Sequence, residues 1–509
     1  MSHKRRTWFP CGVFFSLLVL SAGCTASGQQ STPRPNILTI GVSEGVVAGT
    51  DLGLQDLVRA LSVEGLTQLS TDGRALPRLA ESWTWENGGL GLRILLRQGV
   101  TFHDGTPLTA SLAAKLVTEA VGRPANQRMY TALRDITAVR ADGDHAIVVD
   151  LKRPSAFLPE DLELPLTLGP ERIGTGAYRV VKREPSEISM QRFDRYYGGT
   201  PKIAGVSIKA FGLLRTAWAS LLRGDVDLVT DVPPDAVQFV QNDEVEVISY
   251  SRRYQYLVAF NSSHAPFNVP VVRRALNYAV DRKELLENVL QGRGVASTGP
   301  LWSKHWAYDH SLTPYSYDSA LAQSLLEGAG FRSEKHAGRP DSRLRFTCMI
   351  PANFSLVERV GLEVQKQLYG VGVDMQFDVV PIEEFNERIG TGRFEAILID
   401  MVSGPSFDRS YLFWASQRQF KGLNVFGYEN AEAERLFGVL RQSTNEAAIR
   451  SATSNLQRVL LEDPPALFLA WNERSRAVRR DFQVVREPDR DPLFSIWRWP
   501  AADRRVALQ

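Results

Sequence analysis

The stretch that decides the fold is LRFTCMIPANFSLVERVGLEVQKQLYGVGVDMQFDV, residues 344–379. Residues 344–350 are mostly apolar, which is typical of a buried strand, and residues 375–379 alternate between apolar and polar, as a second strand does. The segment between them predicts an amphipathic helix that ends at Gly370 and whose apolar face consists of Val357, Val360, Val364 and Leu368. A strand, a helix and a second strand in this order predict a twisted, at least partly parallel sheet, and therefore an α/β protein.

The alternation of helices and strands extends in both directions from this unit. Towards the carboxyl end, another helix precedes an apolar strand at Ala396–Ile399. Because ligands in open α/β sheets bind beyond the carboxyl ends of strands, the loop that follows, Met401–Asp408, is a candidate binding loop. Towards the amino end, Asp281 and Glu284 form a capping box that predicts the start of a helix, and Asn36–Ile40 is the predicted first strand.

Length and charge exclude some classes of protein. A chain of 509 residues is too long for one ordinary core, so two or three domains are expected. The net charge of +2, from 59 basic and 57 acidic residues, gives no electrostatic reason to expect a nucleic-acid partner, which needs a basic face to neutralise phosphates. The chain has three cysteines, Cys11, Cys24 and Cys348. Cys348 is interpreted as a small buried side chain on a strand.

The amino terminus has the features of an export signal. Basic residues at 4–6 precede a short apolar segment, Trp8–Leu20, which is too short to cross a bilayer of about 30 Å as a helix. The residues Leu20–Cys24 resemble the bacterial lipobox, in which cleavage leaves a lipid-modified cysteine at the new terminus. We therefore predict a signal peptide at residues 1–23, lipidation of Cys24 and a polar tether at 24–34. An ordinary cleavage site with an incidental cysteine is the alternative.

Several blocks along the chain resemble one protein family. The most specific is LRQGVTFHDGTPLTA, residues 96–110. The blocks, in order, are Pro77–Trp83, Leu96–Ala110, Gly174–Tyr178, Tyr197–Lys202, Gly224–Asp227, Val272–Arg282 and Ala320–Phe331. Together they are similar to the extracellular solute-binding proteins of the peptide/nickel class, family 5.

The resemblance implies a bilobed periplasmic-binding-protein-like α/β fold of the large three-subdomain type, with the ligand between two lobes. Lobe I is then expected at residues 35–260, with an extra subdomain at 55–171. Lobe II is expected at 261–477, and 478–509 return to lobe I. The two crossings between lobes are expected near Tyr256–Asn261 and Arg474–Arg480.

The implied function is binding without chemistry. The resemblance predicts a lipid-anchored protein, periplasmic or otherwise outside the cytoplasmic membrane, that captures a peptide-like or other small solute. Its expected partners are the permease subunits of an ABC importer and, through the lipid, the membrane; we expect a monomer without a cofactor. A ligand-sensing partner of a membrane receptor is the alternative.

Candidate ligand contacts lie in three parts of the chain. Glu44 and Gly45 follow the first strand, where the family has its interlobe crevice. Trp302 and Trp306 lie in a segment rich in aromatic residues. The binding loop and a later position contribute Ser403, Gly404, Phe407, Asp408 and Asn424.

Neither a metal site nor an active site is predicted. The seven histidines form no HExxH motif, and His305 and His310 lie in the aromatic segment, so an aromatic wall is the simpler interpretation. A metal chelate stays an open alternative as ligand, because some members of the family bind nickel complexes. Gly41–Gly45 match the G-x-S-x-G motif of serine hydrolases. However, the chain before them has no room for the strand–helix loop of an oxyanion hole, so a hydrolase is only a remote alternative.

The binding loop departs from the family at one informative place. Peptide-binding relatives hold the ligand's α-ammonium with an aspartate a few residues after a tryptophan, and alignment of Met401 with that tryptophan puts Gly404 at the aspartate. Asp408 is either a shifted substitute or a helix cap. Because a buried ammonium without a partner costs several kcal/mol, we expect ordinary di- to pentapeptides to bind weakly. An apolar or differently charged solute is favoured.

Overall fold

The structure is a computed structural model that describes five parts of the chain: residues 36–43, 52–333, 342–404, 406–416 and 423–501. Its first strand, β1 (Ile37–Ser43), confirms the prediction, and Leu38 and Ile40 are fully buried because they point to the same side of the sheet. Helix α1 (Leu52–Ser62) follows and packs on β1.

The predicted extra subdomain contains two small antiparallel sheets and three helices, one of which covers the larger sheet. Helix α2 packs on the last two strands of the larger sheet, and Thr109 begins it by accepting a hydrogen bond from the Leu112 N–H at 3.2 Å. The sheet order is β2-β3 in one and β4-β5-β7-β6 in the other. The elements are β2 (Thr67–Leu69), β3 (Ala75–Pro77), β4 (Ala80–Glu86), β5 (Gly91–Leu96), α2 (Ala110–Val121), α3 (Pro124–Met129), β6 (Ile136–Asp142), β7 (Ala146–Leu151) and α4 (Leu158–Asp161).

The remainder of lobe I extends the main sheet from β1. Strand β1 pairs in parallel with β10 on one side and with β11 on the other, and β9 and β8 continue the sheet antiparallel beyond β10. The elements are β8 (Tyr178–Arg183), β9 (Glu187–Arg192), β10 (Gly205–Phe211), α5 (Leu214–Leu222), β11 (Leu228–Val229), α6 (Val237–Val240) and the long strand β12 (Val245–Phe260).

Lobe II contains the strand–helix–strand unit that the sequence predicts. Strand β14 pairs in parallel with β15 and with β16, and Cys348 on β14 is fully buried, so both predictions are confirmed. The helix start at Asp281 is confirmed too, because its carboxylate accepts the N–H groups of Lys283 at 2.9 Å and Glu284 at 3.0 Å. The elements are α7 (Pro270–Tyr278), α8 (Arg282–Asn288), β13 (Val295–Ala296), α9 (Ser319–Gly328), β14 (Leu344–Pro351), α10 (Ser355–Gly370), β15 (Val373–Val380), α11 (Ile382–Gly390), β16 (Ala396–Val402), α12 (Phe407–Trp414), α13 (Ala431–Gln442), α14 (Glu446–Glu462) and β17 (Ala466–Arg479).

Two long strands join the halves of the main sheet. The strand order is β15-β14-β16-β12-β17-β11-β1-β10-β9-β8, so β12 and β17 lie at its centre. They pair antiparallel along most of their length, with a register shift between Ser251 and Gln255. Beyond the shift β12 pairs with β16, and before it β17 pairs with β11. The limits of the lobes stay a prediction.

The buried apolar residues show which parts pack together. Lobe I has a core of its own around Leu38, Ile40 and Trp499. The core of the extra subdomain, in contrast, continues into lobe II, where Phe157 contacts Tyr411 of α12 with ring centroids 6.0 Å apart. The buried core of the predicted extra subdomain is therefore continuous with that of lobe II. None of the helices among the described residues has both the length and the apolar character needed to cross a membrane.

Candidate ligand-binding crevice

The topology of the main sheet predicts a ligand-binding crevice at its centre. Strand β11 ends at Val229 and leads towards Ser475 of β17, whose carbonyl accepts the Val232 N–H at 3.0 Å. Strand β16 runs in the opposite direction and ends at Val402, opposite Tyr254 of β12. The carboxyl ends of parallel strands from both lobes thus face each other across the register shift in β12. In open α/β sheets this is where ligands bind.

Four partly exposed charged residues lie along this crevice. Arg252 lies within the register shift of β12, and its Nη1 is 3.2 Å from Oδ2 of Asp400, near the carboxyl end of β16. Arg474 of β17 forms a second pair, with 3.1 Å between its Nη1 and Oδ2 of Asp231, which follows β11. The guanidinium of Arg252 also lies 3.6 Å from the ring centroid of Tyr254. We call Asp231, Arg252, Asp400 and Arg474 the charged row.

Asp400 is the member of the charged row with incomplete hydrogen bonding. Its Oδ2 accepts a bond from the Asn472 side-chain amide at 3.1 Å, and the same amide donates to the hydroxyl of Tyr256 at 3.1 Å. Its Oδ1 is buried and has no hydrogen-bond partner within the described part of the chain. Burial raises the pKa of the Asp400 carboxyl, while the positive charges of Arg252 and Arg474 act in the opposite direction.

Two of the predicted residues, Ser403 and Gly404, directly follow β16. Ser403 is buried, with its Oγ 3.5 Å from Oε1 of Gln255 on β12. Gly404 has a φ of 85°, which favours glycine at the turn into the binding loop. Glu44 and Gly45 directly follow β1 but lie outside the described residues, as does Cys24.

The structure brings the predicted aromatic residues together around His305. The His305 ring lies 4.0 Å from that of Phe407 and 5.5 Å from that of Trp306, measured between centroids. Trp302 packs edge to face on Trp471 of β17 at 4.8 Å, and its indole N–H donates to the Thr71 carbonyl at 2.9 Å. Trp302, His305 and Phe407 are buried in this packing, and whether the aromatic residues line a ligand stays a prediction.

The environment of His305 keeps its ring neutral. Burial lowers its pKa to about 3, and Nδ1 accepts the Ala307 N–H at 3.0 Å. Nε2 therefore carries the proton, and it is buried without a hydrogen-bond partner among the residues that the structure describes. A neutral imidazole of this kind offers a donor and no charge.

Asp408 faces the extra subdomain. Its side chain is 1% exposed, and its carboxylate accepts hydrogen bonds from the Thr131 hydroxyl and from the Thr131 N–H, the latter at 3.2 Å. The cap of α12 is Ser406, whose Oγ accepts the Asp408 N–H at 3.1 Å. The sequence suggests two roles for Asp408, as cap of the helix and as partner of the ligand's ammonium. In the structure Ser406 caps the helix, and the Asp408 carboxylate accepts its hydrogen bonds from Thr131.

Asn424 lies in a turn after α12. Its amide donates to the carbonyls of Ala415 at 3.1 Å and Tyr428 at 2.7 Å, and its Oδ1 accepts the Tyr428 N–H at 3.3 Å. These bonds close the turn. The hydrogen bonds of Asn424 named here thus go to neighbouring residues in the turn and not to the charged row.

Sequence reasoning missed the charged row and Asn472. Asp400 carries a detectable signal, since it is a carboxylate directly after the apolar run Ala396–Ile399 at the carboxyl end of a strand. Arg252 and Arg474 carry none, because their place in the crevice depends on strand pairing. No cluster of three or more potential metal ligands occurs within the described ranges.

Comparisons with known proteins identify the family of this chain. Residues 74–422 match the family described as bacterial extracellular solute-binding proteins, family 5 Middle. The oligopeptide-binding protein AppA of Bacillus subtilis (strain 168) is 23% identical over 449 residues, covering 83% of this chain and 82% of AppA. The glutathione-binding protein GsiB of Salmonella typhimurium is 27% identical over 380 residues, covering 71% of this chain and 72% of GsiB.

Solved structures show the same fold. NikZ from Campylobacter jejuni, in complex with Ni(L-His), superimposes with a TM-score of 0.76 at 22% identity, covering 91% of this chain and 99% of NikZ. The fold is thus that of the bilobed periplasmic binding proteins, and the related proteins are solute-binding proteins rather than enzymes. Because the family match spans more than half of the chain, this protein belongs to the bacterial extracellular solute-binding proteins of family 5.

Proposed function

We propose that this protein captures a small solute in the central crevice and delivers it to the permease subunits of an ABC importer while a lipid on Cys24 anchors it to the membrane. The observation that carries the proposal is the meeting of strand ends from both lobes at a row of partly exposed charges. The family is extracytoplasmic, which agrees with an export signal in the first residues.

The proposed mechanism is closure around the solute. Strands β12 and β17 are the connections that carry both halves of the main sheet, so they are the natural hinge. A solute that contacts both lobes stabilises the closed form by the difference between its affinities for the closed and open forms. The importer then binds the closed, loaded protein as a monomer.

Three measurements test this proposal. Native mass spectrometry of protein purified without refolding should find a bound small solute. Small-angle scattering should then show a smaller radius of gyration in the loaded than in the emptied protein, and the melting temperature should rise on reloading. A tightly bound solute that causes no compaction would contradict the closure mechanism.

The transport partner is tested in cells. Crosslinking at the surface of either lobe should capture a permease subunit, and uptake of the identified solute should require that permease. Crosslinks to a membrane receptor without any solute uptake would favour the sensing alternative.

A further inference from the structure

The charged row has a balance that constrains what it can hold. It contains two arginines and two aspartates, arranged as the pairs Arg252–Asp400 and Arg474–Asp231. The side chains are between 18% and 35% exposed, so they are screened less than charges in open solvent. Among the described residues of the row these charges cancel, so a ligand that brings one net charge would leave one of them uncompensated on closure, which is costly.

One atom of the row calls for a donor. Asp400 Oδ2 already has Arg252 at 3.2 Å and Asn472 at 3.1 Å, while Oδ1 is buried without a hydrogen-bond partner among the described residues. A buried carboxylate oxygen of this kind is stabilised most by a positively charged N–H group. An ammonium or guanidinium group on the ligand meets that requirement.

The same geometry requires a negative group close by. An added cation at Asp400 has to share the carboxylate with Arg252, whose Nη1 is only 3.2 Å away. A ligand carboxylate on Arg252 or Arg474 restores the balance, provided that it lies next to the cation. In an α-amino acid the ammonium and the carboxylate are attached to the same carbon. In an extended peptide, each added residue moves the two terminal charges apart by about 3.3–3.6 Å.

We propose that the crevice recognises a zwitterionic, amino-acid-like group, with its ammonium on Oδ1 of Asp400 and its carboxylate on Arg252 or Arg474. This inference rests on the proposed function, since it names the solute class of the same crevice. Asp408, the other carboxylate considered as partner of an ammonium, faces Thr131 instead. In this protein the cation partner lies on β16, before the loop.

The first test varies the ligand on the wild-type protein. After removal of any carried solute, calorimetry is performed with each of the twenty proteinogenic L-amino acids, and with the N-acetyl and carboxamide forms of those that bind. Loss of one charged hydrogen-bonding group should weaken binding by about 10- to 100-fold in either derivative. Equal affinity for the free and N-acetyl forms would overturn the inference, and this readout does not depend on a variant that folds.

The second test varies the protein. Asp400→Asn and Arg252→Gln should each lower affinity for the free amino acid by about tenfold or more, and Asp400→Asn should affect the N-acetyl form less. The matched control is Asp374→Asn. Asp374 is also a strand aspartate paired with an arginine, and its Oδ2 accepts the Arg345 Nε–H at 2.6 Å far from the crevice. Affinity of the control should equal that of the wild type.

The outcomes separate the two levels of the proposal. A carried solute without a zwitterionic group, or one whose affinity is unchanged in Asp400→Asn, overturns the solute class and leaves the transport function standing. Absence of any carried solute, together with no binding by the amino acids or by peptide and metal-chelate panels, overturns both.

Discussion

Replacement of Arg441 by Met removes the positive charge from a buried ion pair between α13 of lobe II and the extra subdomain. The Arg441 side chain is 2% exposed and that of Asp135 is fully buried. Nη2 and Nε of Arg441 donate to Oδ2 of Asp135 at 2.6 and 3.1 Å, and Nη1 donates to the Thr131 hydroxyl at 2.7 Å. Removal of one partner from a buried pair typically costs about 3–5 kcal/mol of unfolding free energy.

The lower end of that range is expected here. Asp135 keeps two other cations, with Arg153 at 2.9 Å and Lys152 at 3.6 Å, so its charge is not left alone. Met fills much of the vacated volume and so limits the cavity. Arg441→Met should therefore lower the unfolding free energy by about 3 kcal/mol.

Urea unfolding followed by tryptophan fluorescence measures this loss. The control is Arg435→Met on the same helix, where Arg435 pairs with Glu432 at 2.6 Å but both side chains are more than half exposed. An exposed pair contributes little to stability, because solvent and salt screen its charges. Equal losses in the two variants, or a loss below about 1 kcal/mol for Arg441→Met, would refute the reasoning that this pair joins the extra subdomain to lobe II.

Three further predictions follow from individual residues. Cys24→Ser should move the protein from the membrane fraction to the soluble extracytoplasmic fraction, and a membrane fraction as full as that of the wild type would contradict lipidation. Asp408→Asn should lower the melting temperature, because it weakens the hydrogen bonds from Thr131, and should leave ligand selectivity unchanged. The contradicting result would be tight peptide binding that Asp408→Asn abolishes and that a blocked peptide carboxyl end does not affect. Such binding would show that Asp408 binds the ammonium. Burial raises the pKa of Glu160 to about 8, above its unfolded value, so its contribution to stability is present at low pH and is lost as pH rises towards about 8. Glu160→Gln should therefore lose less stability than the wild type between about pH 5 and about pH 8 in urea unfolding, and parallel pH profiles would refute this assignment.

Local features could be predicted from the sequence because their causes lie within a few residues. The strand–helix–strand unit at 344–379 follows from hydrophobic periodicity, and the helix start at Asp281 follows from two backbone N–H groups directly after it. The aromatic wall was predictable as a set of residues, since Trp302 and Trp306 are close in the chain. Phe407 was predicted for a different reason: it lies in the loop after a strand, where open α/β sheets bind their ligands.

The candidate ligand contacts could not be predicted in the same way, because their partners are distant in the chain. Asp408 illustrates this, because a carboxylate at the start of a helix is equally suited to capping and to binding a cation. Its partner Thr131 lies 277 residues away, and only the packing of the extra subdomain on α12 brings them together. The charged row has the same origin, since Arg252 and Asp400 are 148 residues apart.

The sequence by itself determined the α/β class and the family, because periodicity, caps and motif blocks are local in the chain. Only the tertiary structure decided which charged residues meet in the crevice and which are hydrogen-bonded to a neighbouring part of the protein. The physical reason is that a side chain's role depends on its desolvation and on its partners. For Asp400 and Asp408 both are set by strand pairing and by contacts between segments more than a hundred residues apart.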